Sequence, residues 1–233
     1  MNREPATHSR VLTVQLLDTW HVGTGRGVGH HLDAVIDLDV DGLPCVPGRM
    51  LRGLIRDACK CLEVWEHAAR LADAPRVAAL FGGLSERNDA PRRQVSSPGC
   101  LGVSAARLPP ALRQAILAID KETLAQEERT KKHADGSSTL AMALRMTSFQ
   151  TALDARTGCA KPESLRGIEL AIPMVLEATI ELWPDDQVQA DGAWRLLDMA
   201  LPLVLSLGAH KTRGHGRTRL CWASAAGQAG ASQ

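Results

Sequence analysis

The chain contains no tyrosine, and Phe and Trp together make up only 3% of its 233 residues. Stacking successive single-stranded bases on aromatic side chains, the sequence-tolerant way to hold nucleic acid, therefore cannot be its main binding mode. An excess of one charge sign is missing too, since 27 Lys and Arg face 26 Asp and Glu for a formal net charge of +1. A global basic field is excluded, so any anion-binding surface has to be local and dominated by backbone recognition. No stretch approaches the roughly 18 uninterrupted apolar residues of a membrane span, and residues 1–10 lack an apolar targeting core. The expected setting is cytoplasmic, with no membrane partner. Six cysteines (Cys45, Cys59, Cys61, Cys100, Cys159 and Cys221) are scattered among core-type residues. In a chain large enough to build a core without staples, and 45% hydrophobic, that scatter favours reduced thiols over a disulfide framework.

What the chain does have is concentrated in residues 20–57. Four glycines, Gly23, Gly25, Gly27 and Gly29, lie within seven residues. The segment GTGRGVG lacks the Lys-Ser/Thr of a P-loop, does not space its glycines as GxGxxG and is not followed directly by a helix, which argues against nucleoside triphosphate binding. Its glycines instead permit an irregular loop against which a ligand backbone can lie closely. Residues 35–46 then alternate Ile36, Leu38 and Val40 with Asp37, Asp39 and Asp41 before an Asp41-Gly42 turn signal, the pattern of a small hairpin with one acidic, solvated face. DLDVDG imitates the start of an EF-hand loop, but position 12 is Gly48 where a bidentate Glu is required. Asp33 stands apart, ahead of the alternating segment at the edge of the glycine loop. A helix from Pro47 to about residue 66 follows, with Arg49, Arg52 and Arg56 on one face near its start. Cations there oppose the helix dipole, a conflict that a bound phosphate removes.

Along the rest of the chain the pattern predicts a central strand at 10–18, a helix at 67–80, a basic mobile loop at 85–98, a strand at 100–107 and a helix at 109–125. The polar tract 126–138 is expected to be disordered or ordered only by a partner. Strand character returns at 142–154 and 170–183, an apolar helix covers 189–207, and a basic glycine-rich loop enters a last strand before a fraying tail. Strand, helix, two strands, helix, strand is the ferredoxin-like order, an α+β fold with an insertion between the first helix and the middle strands. That order brings the first glycine loop and residues 211–217 together. Cys59, Cys61, His67 and Cys100 suggest a zinc site on paper. However, Cys-x-Cys on a helix points its thiols roughly 200° apart, so zinc is disfavoured.

The segments WHVGTGRG, LDAVIDLDVDGLPCVPGRMLRGLIR, LFGG with GCLGVSAARL, TSFQTALDARTGCAKPESLRGIEL and LGAHKTRGHGR, taken in this order, resemble the CRISPR-associated RAMP superfamily, specifically the backbone subunits of type III effector complexes. The resemblance implies one RNA-recognition-motif-like domain over 1–233. Within it, 10–107 carries the first strand, the glycine and acidic loop, the basic helix and an insertion. Residues 108–141 form a helical and mobile insertion, and 142–222 a thumb-like hairpin, the second helix and the terminal glycine loop. It also implies that Arg49, Arg52 and Arg56, with Lys211, Arg213, Gly214, Gly216 and Arg217, hold guide CRISPR RNA phosphates. Arg52 stands where Lys is common in relatives, and Arg serves phosphate bidentately. TALDARTGCA matches the thumb, with Thr151 and Arg156 near bases or backbone. Asp33 matches the aspartate that, in nuclease-active members, promotes Mg²⁺- or Mn²⁺-dependent cleavage of target RNA. Expected partners are guide and target RNA, other CRISPR-associated subunits and further copies of the chain. Two alternatives stay open: a catalytically inactive structural subunit, and a metal-independent guide-processing endoribonuclease using His21, His30 or His31 as base.

Overall fold

The computed structural model describes residues 8–27, 32–65, 76–85, 95–130, 139–183, 188 and 190–223. The strands are β1 (His8–Leu16), β2 (Gly83–Ser85), β3 (Val95–Ser97), β4 (Leu101–Val103), β5 (Arg145–Gln150), β6 (Arg166–Ala171), β7 (Met174–Leu182) and β8 (Thr218–Trp222). The helices are α1 (Gly48–Val64), α2 (Val77–Phe81), α3 (Pro110–Thr130), α4 (Leu140–Ala143) and α5 (Ala190–Ala200).

Strict alternation builds the main sheet. In β1, Leu12, Val14 and Leu16 point inward, and Leu176, Ala178, Ile180 and Leu182 of β7 do the same. The register sets Val14 opposite Leu176 on one side and Leu220 on the other. The sheet runs β4-β7-β1-β8, with every neighbouring pair antiparallel. With α1 after β1 and α5 after β7, this is the ferredoxin-like arrangement, and β1 lies inside the sheet as expected.

Both crossover helices pack on the inward face. Helix α1 places Leu51, Ile55, Ala58, Cys59 and Leu62 on one stripe, each buried large aliphatic contributing about 1.5–3 kcal/mol. Its first residue has to be glycine, because a Cβ on Gly48 would lie 2.1 Å from the Val103 carbonyl of β4. Helix α5 buries Trp194, Leu196 and Leu197, with Asp191 at its positive end. The expected helix over 189–207 stops at Ala200, and Leu201–Leu203 form a 3₁₀ turn, because Pro202 has no N–H for the helical ladder.

One strand of the expected order was misplaced. Residues 142–154 do not enter the main sheet. They form the end of α4 and β5, and β5 pairs with β6 in a separate two-stranded sheet. The second strand of the ferredoxin-like order is β4, only three residues long. The predicted strand at 170–183 is likewise two elements, β6 and β7, separated at Pro173, which cannot donate to a ladder. Helix α3 continues through 126–130, so that part of the tract expected to be disordered is helical, in keeping with the helix propensity of its Gln-Glu-Glu-Arg sequence. Residues 131–138 lie outside the described residues, as does most of the helix expected at 67–80. The basic loop expected at 85–98 is flanked by the β2–β3 pair, with 86–94 outside the described residues.

The acidic face expected on 37–41 is also corrected. Only 2% of the Asp39 side chain is exposed: Oδ1 accepts the N–H groups of Asp41 and Leu43, and Oδ2 lies 3.2 Å from Arg113 of α3. Arg113 pairs with Asp41 as well. Asp39 is thus buried against α3, while Asp41 pairs with Arg113 at an exposed position.

Candidate functional site

Strand β6 pairs with β5 along one edge and is covered along the other by the stretch after the first glycine loop. Asp33 N–H donates to the Gly167 carbonyl (2.8 Å), Gly167 N–H donates to Asp33 Oδ2 (2.9 Å), and Glu169 N–H donates to Ala34 O (2.9 Å). Ala34 and Ile168 form a parallel bridge. An unpaired strand edge is a row of donors and acceptors awaiting a partner, and here the Asp33 segment supplies it. The result is an exposed residue held to Gly167 twice, through its backbone N–H and through one carboxylate oxygen, Oδ2.

Behind Asp33 stands Glu169, 9% exposed, which the sequence reading did not single out. Its Oε1 pairs with Arg145 of β5 at 3.0 Å, its Oε2 accepts Ile36 N–H at 3.1 Å, and its carbonyl accepts His21 Nδ1–H at 2.7 Å. One buried residue thus joins the Asp33 segment, the hairpin and the start of the glycine loop. A buried charge persists only when paired and hydrogen-bonded, and here both oxygens are occupied. The available sequence signal was a lone acid inside the apolar run Ile168, Leu170, Ala171.

The terminal glycine loop docks onto the same frame. Ala209 N–H donates to His21 O (2.8 Å), Gly216 N–H to Thr19 O (2.9 Å), and Thr19 Oγ1 meets His215 Nδ1 at 2.8 Å. Gly216 is obligatory here: at φ 74° a Cβ would lie 2.0 Å from Leu207 O. The imidazoles of His21, His210 and His215 follow one another edge to face, with centroids 6.1 and 6.4 Å apart. Burial, then the charges of Arg213, His21 and His215, push the His210 pKa below the ordinary histidine value. The terminal loop thus docks on Thr19 and His21, the stretch that leads into the first glycine loop.

The sequence profile of the RAMP superfamily matches residues 13–219, from β1 to β8. This chain belongs to the RAMP superfamily. The same fold is present in solved structures. A chain of the Type III-B Cmr-beta bound to cognate target RNA superposes with a TM-score of 0.58 at 11% identity, covering 92% of this chain and 97% of its own length. A chain of Type III-B Cmr-beta in the apo state gives a TM-score of 0.57 at 11% identity, covering 93% and 98%. At that identity the likeness speaks for the fold. No curated protein sequence matches the chain.

The residues that the RAMP resemblance singled out meet different fates. Arg49 is exposed, but Arg52 donates from Nε to Leu101 O (3.1 Å) and from Nη2 to Phe81 O (2.8 Å), tying α1 to β4 and α2. Arg56 is half-buried, with its Nε lacking a hydrogen-bond partner. The three arginines expected to share one open face therefore do not present alike. In the terminal loop Lys211 is exposed, Arg213 hydrogen-bonds Gln150 at the end of β5, and Arg217 pairs with Asp18 at 3.0 Å while remaining largely exposed. Gly214 closes the loop's 3₁₀ turn in the left-handed region.

Residues 151–160 form the outer part of the β5–β6 hairpin, with Leu153 bridged to Ala160. Thr151 Oγ1 meets Ser164 Oγ at 2.6 Å, and the exposed Arg156 is held through its N–H by Asp154 Oδ1. The N–H groups of Thr157 and Arg156 keep the Asp154 carboxyl below the usual carboxylate range. Of the glycine loop, Gly23 bridges Ile36 and Gly25 has a positive φ, while Gly27 is exposed. Gly29, His30 and His31 lie outside the described residues, as does His67. Cys59 is buried, its thiol pushed up to about 12 by burial, and Cys61 is exposed. Among the described residues no group of three or more His, Cys, Asp and Glu side chains is placed to hold a metal ion.

Proposed function

We propose that this RAMP chain is a guide-RNA-binding backbone subunit of a type III CRISPR interference complex, and that it cleaves the paired target RNA through Asp33 with a divalent metal ion. The observation that carries the reading is Asp33 itself, exposed yet held twice by Gly167, at the root of the hairpin. Exposed cations, Lys211, Arg213 and Arg217 of the terminal loop and Arg156 at the hairpin tip, suit a polyanionic backbone. The Type III-B Cmr-beta structures share the fold, which supports placing the chain among subunits of such complexes. Guide RNA, target RNA, neighbouring subunits and further copies of the chain are its partners in this reading.

The residues fit a hard cation that brings most of its own ligands. One carboxylate, joined by water and phosphate oxygens, suits Mg²⁺ or Mn²⁺, which take few protein ligands at phosphate sites. When bound, such an ion supplies Lewis-acid polarisation of the scissile phosphoryl oxygen. The chain's own part is positional. Gly167 fixes the carboxylate, Glu169 and Arg145 fix the strand beneath it, and the exposed cations seat the phosphates. His21 does not suit a metal-independent base, because it is 5% exposed and its Nδ1 is committed to Glu169 O.

The test is reconstitution with guide RNA and a labelled complementary target. The reading expects guide binding that weakens steeply with salt, and cleavage that requires Mg²⁺ or Mn²⁺ and stops with EDTA. Binding without cleavage under any metal would leave a structural subunit, and cleavage surviving EDTA would remove the metal from the account.

A further inference from the structure

Phe149, at 63% exposure, is the most exposed of the chain's five Trp and two Phe, whereas its counterpart Phe81 is 3% exposed. Trp65 and Trp183 are exposed as well, at 59% and 39%, but only Phe149 of the three lies on the β5–β6 hairpin. Its position is specific. In the β5–β6 register Phe149 lies opposite Gly167, the residue whose N–H and C=O both turn away from β5 toward Asp33. Phe149 and Gly167 therefore form the non-hydrogen-bonded kind of pair, with Cα atoms about 4.5 Å apart. Because Gly167 has no side chain, nothing on β6 directly opposite covers the ring. The Asp33 backbone lies one further strand spacing away, about 5 Å.

Exposed cations interleave with exposed apolar groups on the rest of the hairpin: Arg166 follows Leu165, and Arg156 and Lys161 flank the tip beyond Leu153. An aromatic face among cations is the composition of a stacking site for nucleic acid, in which the ring takes a base and the cations take the backbone. A purely apolar patch would suit a protein surface instead. We propose that Phe149 is a nucleobase-stacking residue, seating one base of the bound RNA strand beside the phosphate presented to Asp33. This deepens the RNA reading above and rests on it.

The experiment uses the full chain and a short single-stranded RNA carrying 2-aminopurine, with wild type, Phe149→Leu and Phe149→Trp compared. Wild type and Phe149→Trp are expected to bind and to change the 2-aminopurine emission. Phe149→Leu, which keeps an apolar side chain, is expected to lose about 10-fold in affinity and the emission change. Its salt dependence should not move, since no charge is removed. Unchanged melting curves check that this exposed position leaves the fold intact. If Phe149→Leu binds and reports like wild type, the stacking role is wrong while the RNA reading stands. A Leu variant altered only in self-association of the RNA-free chain would make this a protein contact and overturn the proposal. Absence of RNA binding by wild type overturns both.

Discussion

The start of α1 and the root of the β5–β6 hairpin both set charged side chains beside glycine-rich turns, and they use that charge in opposite ways. At α1, Arg52 turns inward and spends its donors on the carbonyls of Phe81 and Leu101. At the hairpin root the inward charge is Glu169, neutralised by Arg145, and the frame so fixed leaves Asp33, Phe149 and Lys211 exposed. The difference teaches that a charged residue in such a place can be a fastening or a display, and that burial decides which.

The comparison breaks most readily at Glu169. Glu169→Ala removes one partner of a buried ion pair and strands Ile36 N–H and Arg145, so a loss of about 3–5 kcal/mol is expected in chemical denaturation. Arg49→Ala, at an exposed position, should stay within about 0.5 kcal/mol. Equal losses would dissolve the distinction between frame and surface. Next in size, Arg52→Ala should cost about 1–3 kcal/mol by leaving two carbonyls without donors, and should scarcely alter the salt dependence of RNA binding. Lys211→Ala should do the reverse, sparing stability and lowering the slope of log affinity against log salt by about 1. If Arg52→Ala shallows the slope and leaves stability alone, Arg52 grips RNA after all.

The smallest effect concerns His210. Its pKa in the folded chain lies below the ordinary value, about 6.5, that it has when unfolded. The unfolded state therefore binds the proton more readily, so the contribution of neutral His210 is fully present above about pH 6.5 and is lost as pH falls through the folded-state pKa. Melting followed between pH 7.5 and 5 should show a modest fall on acidification that His210→Gln flattens. An unchanged profile in His210→Gln would separate the terminal loop from this titration.

Much of the fold was legible because its strongest elements are periodic. β1, α1 and α5 announce themselves by alternation or by a 3 to 4 residue stripe. β4 is too short to alternate visibly, and β5 resembles a core strand although Met146 and Phe149 are exposed, so the second strand of the sheet was assigned to the wrong segment. At the site, the docking of the terminal loop close to the start of the first glycine loop followed from the strand order. Glu169 and the inward turn of Arg52 did not, because a single acid in an apolar strand or one arginine on a helix acquires its partners only through tertiary contacts. Asp39 illustrates the same limit, since its alternation is real and its solvation is not.

The central claim is that Asp33 is displayed for chemistry on RNA while the frame behind it holds the fold. The most direct measurement compares wild type and Asp33→Ala in the reconstituted complex, following assembly, target binding and target cleavage with Mg²⁺ present. The account predicts that Asp33→Ala assembles and binds target like wild type but cleaves at least about 100-fold more slowly. Cleavage at the wild-type rate by Asp33→Ala would contradict it.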